Sequence, residues 1–368
     1  MRRTPSWATW CSARARSARP RRQWWARGPQ RASPVSMPET LAPLIGGVTG
    51  IGSVPGTDPR EAAATVVGEL EVPFLPELPN RGLGADMIGR AAGLLVDIGV
   101  DVSSTGYRIG VPGGRVARLV GDHLERDLDA FEEAYEVARR RGGGLVKTQV
   151  AGPLTLAAAV ELPNGHRAAR DRGAMRDIAA SLAEGLVRHV ADLRRRLGAD
   201  VVLQLDEPSM WSVVHGTVPA LTKLDPIRAV PAPEAAELLA SVIDAVDAPV
   251  LLHLCGRIEW DVVRRVPVDG ALVDATRLAV PDYEGLGEFV ESRPVVGLGL
   301  APTVPGRRSP ADLAAPAIRM YDEIGLPRRA LAQAVVTPVC GMADSPGIRP
   351  VLDACKGIRA VLAEASAV

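Results

Sequence analysis

An imidazole and a thiol stand two residues apart in His253-Leu254-Cys255, and a second thiol, Cys340, follows the run Val335-Val336-Thr337-Pro338-Val339. On a β-strand, positions i and i+2 face the same side, so His253 and Cys255 can point together into one cleft. Asp274 adds a carboxylate. One imidazole, two thiolates and one carboxylate suit Zn²⁺, which favours nitrogen and sulfur donors in tetrahedral geometry. Taken alone, a His-x-Cys pair reads as a core histidine beside a buried cysteine. Cys340 at a second strand end turns the reading towards metal. Cys355 falls in the last helical stretch and reads as packing, and Cys11 belongs to the amino-terminal leader.

Other polar residues sit where apolar runs stop. Leu205-Asp206-Glu207-Pro208 places two carboxylates ahead of a proline. That pair suits recognition of an ammonium group or acid/base work, and equally a structural carboxylate bonding loop amides. Thr49-Gly50-Ile51-Gly52-Ser53-Val54-Pro55-Gly56 is a glycine-rich strand end able to hold an anion on backbone amides. Glu77 follows the second apolar run, while Lys147 and Gln149 alternate on the third, where a satisfied interior layer also explains them.

Elements that gather such scattered residues are legible in the pattern. Short apolar runs at 48–52, 72–75, 145–150, 201–205, 250–254, 271–273, 295–300 and 335–338 read as strands. Helical periodicity fills 60–70, 85–96, 114–141, 175–197, 233–246, 310–324 and 345–363, with a shorter stretch at 257–266. Strands alternating with helices imply a parallel sheet, and eight repeats imply an α/β fold closed into a single (β/α)8 TIM barrel over 41–368. An insertion after the second strand is expected to carry a hairpin around 103–115 and a long helix. An open doubly wound sheet is disfavoured by the lack of a G-x-G-x-x-G turn after the first strand. Barrel chemistry sits at the carboxyl ends of the strands, where Ser53, Glu77, Asp206, Glu207, His253, Cys255, Asp274 and Cys340 all fall.

Composition narrows the class. The 43 basic and 43 acidic residues cancel, which argues against a nucleic-acid or anionic-membrane partner. Four cysteines in 368 residues are too few for a disulfide framework, so a reduced, cytoplasmic setting is expected. No apolar run reaches the ~20 residues that span a bilayer. Residues 1–40 form an Arg-rich leader expected to be disordered, and its first 36 positions lack Asp and Glu. It reads either as a transit-like leader or as an upstream extension ahead of a natural start at Met37.

Together, Ile51–Pro55 (I-G-S-x-P), Gln204–Pro208 (Q-L-D-E-P), His253–Cys255, Asp274–Arg277 (D-A-T-R) and Thr337–Gly341 (T-P-x-C-G) resemble the carboxyl-terminal catalytic barrel of cobalamin-independent methionine synthase. That family lies within the wider superfamily that includes uroporphyrinogen decarboxylase. The resemblance covers roughly residues 48–365 and implies a zinc-dependent methyltransferase acting on homocysteine to give methionine. It implies His253, Cys255 and Cys340 as zinc ligands, with Asp274 where the family has glutamate. It also implies Ile51 and Ser53 for the homocysteine carboxylate, and Glu77 and Asp206 for its ammonium group, Asp206 doubling as catalytic residue. A free thiol is mostly protonated at neutral pH, and zinc would activate it as a nucleophile.

Three departures touch the methyl donor. The family's full-length enzymes carry a second, amino-terminal barrel that helps hold polyglutamylated methyl-folate, and this chain is expected to work without one. The loop Gly152-Pro153-Leu154-Thr155-Leu156-Ala157 lacks the family's tryptophan, and 301–310 lacks its histidine. Methyl-folate and a corrinoid protein therefore both stand as donors. A non-catalytic zinc- and thiol-binding barrel, or a metal-free decarboxylase, are the alternative functions.

Overall fold

The computed structural model describes residues 38–222 and 224–367. Residues 1–37 of the expected leader, with Cys11 and Met37, lie outside the described residues, whereas its last positions, Glu39 and Thr40, open the short helix Glu39–Leu44. The chain has an α/β fold built on a curled parallel sheet of six strands in sequence order: β3 (Leu145–Ala151), β4 (Asp200–Asp206), β5 (Val250–Leu254), β6 (Gly270–Asp274), β7 (Val295–Ala301) and β8 (Val335–Pro338). A separate antiparallel hairpin pairs β1 (Gly99–Ser103) with β2 (Gly106–Gly110). It sits a few residues earlier than expected because the turn falls between Ser103 and Gly106.

The first two expected strands are extended segments, each joined to the sheet by an isolated bridge. Val48 bridges Val336 of β8, Phe74 bridges Lys147 of β3, and Ser53 bridges Glu77 between the two segments. Their composition explains the sparse pairing. Pro73 and Pro76 have no N–H to give a ladder, and Gly50 and Gly52 weaken a strand. Gly50 is required by packing, since a Cβ there would lie 2.3 Å from the Phe74 ring.

The strands carry the layers expected of a filled interior. At the amino ends, Ile51, Val72, Leu145, Val202, Leu251, Leu272, Val295 and Val335 form one apolar cluster, with Leu41 and Leu44 of the short helix Glu39–Leu44 packed into it. Above it lie the buried polar groups Lys147, Gln149 and Gln204, and above those Asp206 and His253. Helices cover the outside, including Pro59–Glu69, Arg115–Val137, Arg172–Leu197, Ala232–Ile243, Pro310–Ile324 and Ile348–Ala365. The short expected helix at 257–266 shrinks to Trp260–Val263, and 85–96 shrinks to Met87–Gly93. A helix that the pattern did not announce, Tyr283–Ser292, links β6 and β7. Its Gly285 and Gly287 depress helical propensity. Gly285 is there because the Trp260 ring occupies the space a Cβ would need, 2.3 Å away.

Alternation along β3 turns Thr148 outward, where its Oγ1 lies 3.0 Å from Nε2 of His189 on the helix Arg172–Leu197. Burial, helped by the charge of Arg90, pushes His189 down from 6.5 to about 4. Between those two values the unfolded chain takes up a proton that the folded chain refuses, so this contribution to stability is present above pH 6.5 and is lost as pH falls. The expected loss is about 3 kcal/mol. His189→Gln keeps a partner for Thr148. Denaturant titrations at pH 7 and pH 4 should show wild type losing that much stability relative to the variant, and parallel curves would refute the assignment.

Candidate metal centre

Three expected ligands meet. His253 is the penultimate residue of β5, Cys255 follows its end, and Cys340 lies two residues beyond β8. One ligand atom from each falls within 4.8 Å of the other two. Tetrahedral zinc with bonds near 2.0–2.3 Å wants ligand atoms ~3.5–3.8 Å apart, so small side-chain adjustments suffice.

The histidine is already oriented. Asp206 and His253 are register partners on β4 and β5, and Nδ1 of His253 lies 2.7 Å from Oδ1 of Asp206. Nε2 is buried and has no hydrogen-bond partner. Orphaned buried polar atoms are rare and call for an explanation, and a metal ion supplies one. Burial pulls the His253 pKa down, but the hydrogen bond and charge of Asp206 outweigh it, and the net displacement is upward. The two thiols share a proton: a hydrogen bond with Cys255 brings Cys340 down to about 6, and the same bond together with burial drives Cys255 well up. A pair that keeps one thiolate at neutral pH is a ready metal ligand.

Asp274 stands apart from this group. It ends β6, and its Oδ1 accepts from the backbone N–H and the hydroxyl of Thr276, at 3.0 and 2.6 Å. Burial raises its pKa against the pull of Thr276 and Arg277.

The expected thiol-binding residues lie beside the loop bearing Cys340. The carbonyl of Ser53 accepts from Met342 N–H at 2.7 Å, and a Cβ on Gly341 would come within 3.0 Å of the Ser53 Cβ. Ser53 Oγ donates to Oε2 of Glu77 at 3.1 Å, and the buried Oε1 of Glu77 has no hydrogen-bond partner, its nearest cation being Nε of Arg90 at 3.7 Å. Burial pushes Glu77 up to about 6, although the charge of Arg90 opposes it. Ile51 points its side chain into the apolar floor and its carbonyl towards Lys147 and Gln204, at 3.1 and 2.8 Å.

Of the two carboxylates in Leu205-Asp206-Glu207-Pro208, the second is structural. Glu207 accepts from Leu154 N–H, Thr155 N–H and Thr155 Oγ1 at 2.9, 2.8 and 2.7 Å, capping the helix Pro153–Ala159. Burial pushes it up to about 8, with those donors pulling the other way. The residue that sequence reasoning passed over is Gln204, whose Nε2 donates to Oδ1 of Asp206 at 2.7 Å. Its i, i+2 spacing from Asp206 was the available signal.

Residues 47–359 match the family described as cobalamin-independent synthase, catalytic domain. A B12-independent methionine synthase from Shewanella sp. W3-18-1, solved in complex with selenomethionine, superposes with a TM-score of 0.55 at 10% identity, covering 87% of this chain and 98% of that one. A methyltransferase from Methanosarcina mazei gives a TM-score of 0.49 at 15% identity over 86% and 94%. Among curated protein sequences none matches significantly. Within the described residues no helix is long and apolar enough to cross a membrane.

Proposed function

The chain belongs to the family of cobalamin-independent synthase catalytic domains, and with it to the methyltransferases, and from that premise we propose that it methylates the thiol of homocysteine to give methionine. The observation that carries this reading is the orphaned, buried Nε2 of His253 beside two cysteine sulfurs. That donor set fits Zn²⁺, held by His253, Cys255 and Cys340, with Asp274 as the fourth protein ligand once its carboxylate leaves Thr276. When bound, the ion supplies Lewis acidity that lowers the pKa of an incoming thiol and keeps its sulfur nucleophilic.

The chain's own residues supply the rest. Ile51 and Ser53 bind the amino-acid carboxylate, and Glu77 and Asp206 bind the ammonium group. A new S–CH₃ bond forms as the methyl–donor bond breaks, and the thiol proton departs to solvent. Selenomethionine in the Shewanella enzyme is the selenium counterpart of the product proposed here. Methyl-folate and a methylated corrinoid protein are the two candidate donors. We read the frame as a closed eight-stave barrel forming one domain over 41–368, because each strand and each bridged segment gives one side chain to the apolar floor. We place the chain in the reduced, cytoplasmic setting that its sparse cysteines suggest.

Zinc K-edge absorption tests the reading. Protein reconstituted with zinc should hold about one ion per chain, and homocysteine should add one sulfur to its shell. A chain that takes up no zinc, or an ion whose shell ignores homocysteine, would rule it out. Turnover with each donor in turn then identifies the methyl source.

A further inference from the structure

The buried polar layer beneath the metal centre has a direction. Nζ of Lys147 faces three acceptors: Gln204 Oε1 at 2.7 Å, the Ile51 carbonyl at 3.1 Å and Gln149 Oε1 at 3.3 Å. Burial pulls Lys147 down to about 7; as an ammonium it has three N–H donors and no acceptor, and all three contacts then run outward from it. Gln149 is fixed independently, since its Nε2 donates to the Leu75 carbonyl at 2.7 Å. With the Gln204 oxygen committed to Lys147, its two amide hydrogens go to the Ile51 carbonyl at 2.8 Å and to Oδ1 of Asp206 at 2.7 Å. Gln204 can only donate to Asp206. Flipping its amide would set an oxygen against both a carbonyl and a carboxylate, whether Lys147 is charged or neutral.

The consequence passes upward. An oxygen that receives an N–H from Gln204 is held as an acceptor, so Nδ1 of His253, 2.7 Å from the same Oδ1, must be the donor. In the neutral ring, the form that binds metal, a proton on Nδ1 leaves the lone pair on Nε2, the buried atom with no partner. We infer that Gln204, anchored by Lys147, is a positioning residue that fixes the Nδ1–H tautomer of His253 through Asp206 and so presets the imidazole for metal. The same amide grips the Ile51 carbonyl, tying the segment proposed to hold the substrate carboxylate to the residue that orients the metal ligand. This inference rests on the zinc reading above.

Gln204→Met removes the donor while keeping length and neutrality. Zinc affinity, measured by chelator competition without substrate, should fall about tenfold. Gln149→Met is the control: it strips an amide from the same Lys147 but does not touch Asp206, and it should change affinity less than about twofold. On an Asp206→Ala background, Gln204→Met should add less than about threefold, because the chain it acts through is already cut. With Co²⁺ replacing zinc, the d–d bands should shift in Gln204→Met and stay put in Gln149→Met. A purely structural role would lower the melting temperature of both variants and leave affinity and spectrum alone. Should Gln204→Met fail to fold, Gln204→Asn keeps an amide but withdraws it by one methylene from Asp206, and the same losses are expected. Equal zinc affinity in wild type and the Gln204 variants overturns the inference. A wild-type chain that binds no zinc overturns the reading beneath it.

Discussion

Cys340→Ala is expected to lower zinc affinity by about a thousandfold and to abolish methyl transfer to homocysteine in step. Removing an outer hydrogen-bond partner of a metal ligand costs ~10–100-fold, and removing a ligand costs more. The residues left behind, His253 and Cys255 from one strand end and an Asp274 carboxylate that must first leave Thr276, offer at most three donors, one short of a closed tetrahedral site. Cys340 is also the partner that holds the thiolate of the pair, so its loss leaves Cys255 as an ordinary buried thiol. Cys355→Ala is the matched control, because Cys355 is packed inside the last helix, away from the site. Metal analysis after gel filtration, paired with turnover, reads both variants. A Cys340→Ala protein that retains a full equivalent of zinc would refute the ligand assignment.

The second large effect belongs to Asp206. Asp206→Ala leaves Nδ1 of His253 and Nε2 of Gln204 facing an empty place, and zinc affinity should fall by ~10–100-fold. Both hydrogen bonds fall on Oδ1, so Asp206→Asn retains an acceptor for them and loses only the charge. The order of affinities should therefore be wild type, Asp206→Asn, Asp206→Ala. If Asp206 also binds the substrate ammonium group, KM for homocysteine rises in both variants even when zinc is saturating. An Asp206→Ala protein that binds zinc like wild type would show that His253 needs no orientation from β4.

Much of this was legible in the chain. The i, i+2 spacing of His253 and Cys255 needed only strand geometry, and Cys340 needed only its place after an apolar run. All three converge. Six of the eight expected strands form where the β-branched runs lie. The other two became bridged segments because their prolines and glycines, which mark close approach and turns, also remove ladder hydrogen bonds. The carboxylates were harder. Whether Asp206 or Glu207 faces the site depends on register with β5 and on the helix start at Leu154 and Thr155 that Glu207 caps, and local sequence carries neither. Asp274 looked equivalent to the other ligands in sequence, yet its neighbour Thr276 offers two donors that hold it back at short range. Gln204 was quoted within a motif but given no role, because its meaning lies in its partners and not in its type.

The cluster of eight apolar side chains packed against Leu41 and Leu44 bears on traffic through the molecule. Apolar side chains packed there offer neither water nor a released proton a polar path downward. Exchange with solvent then falls to the opposite side, where Cys340 is exposed, and methyl acceptor and product use that same side.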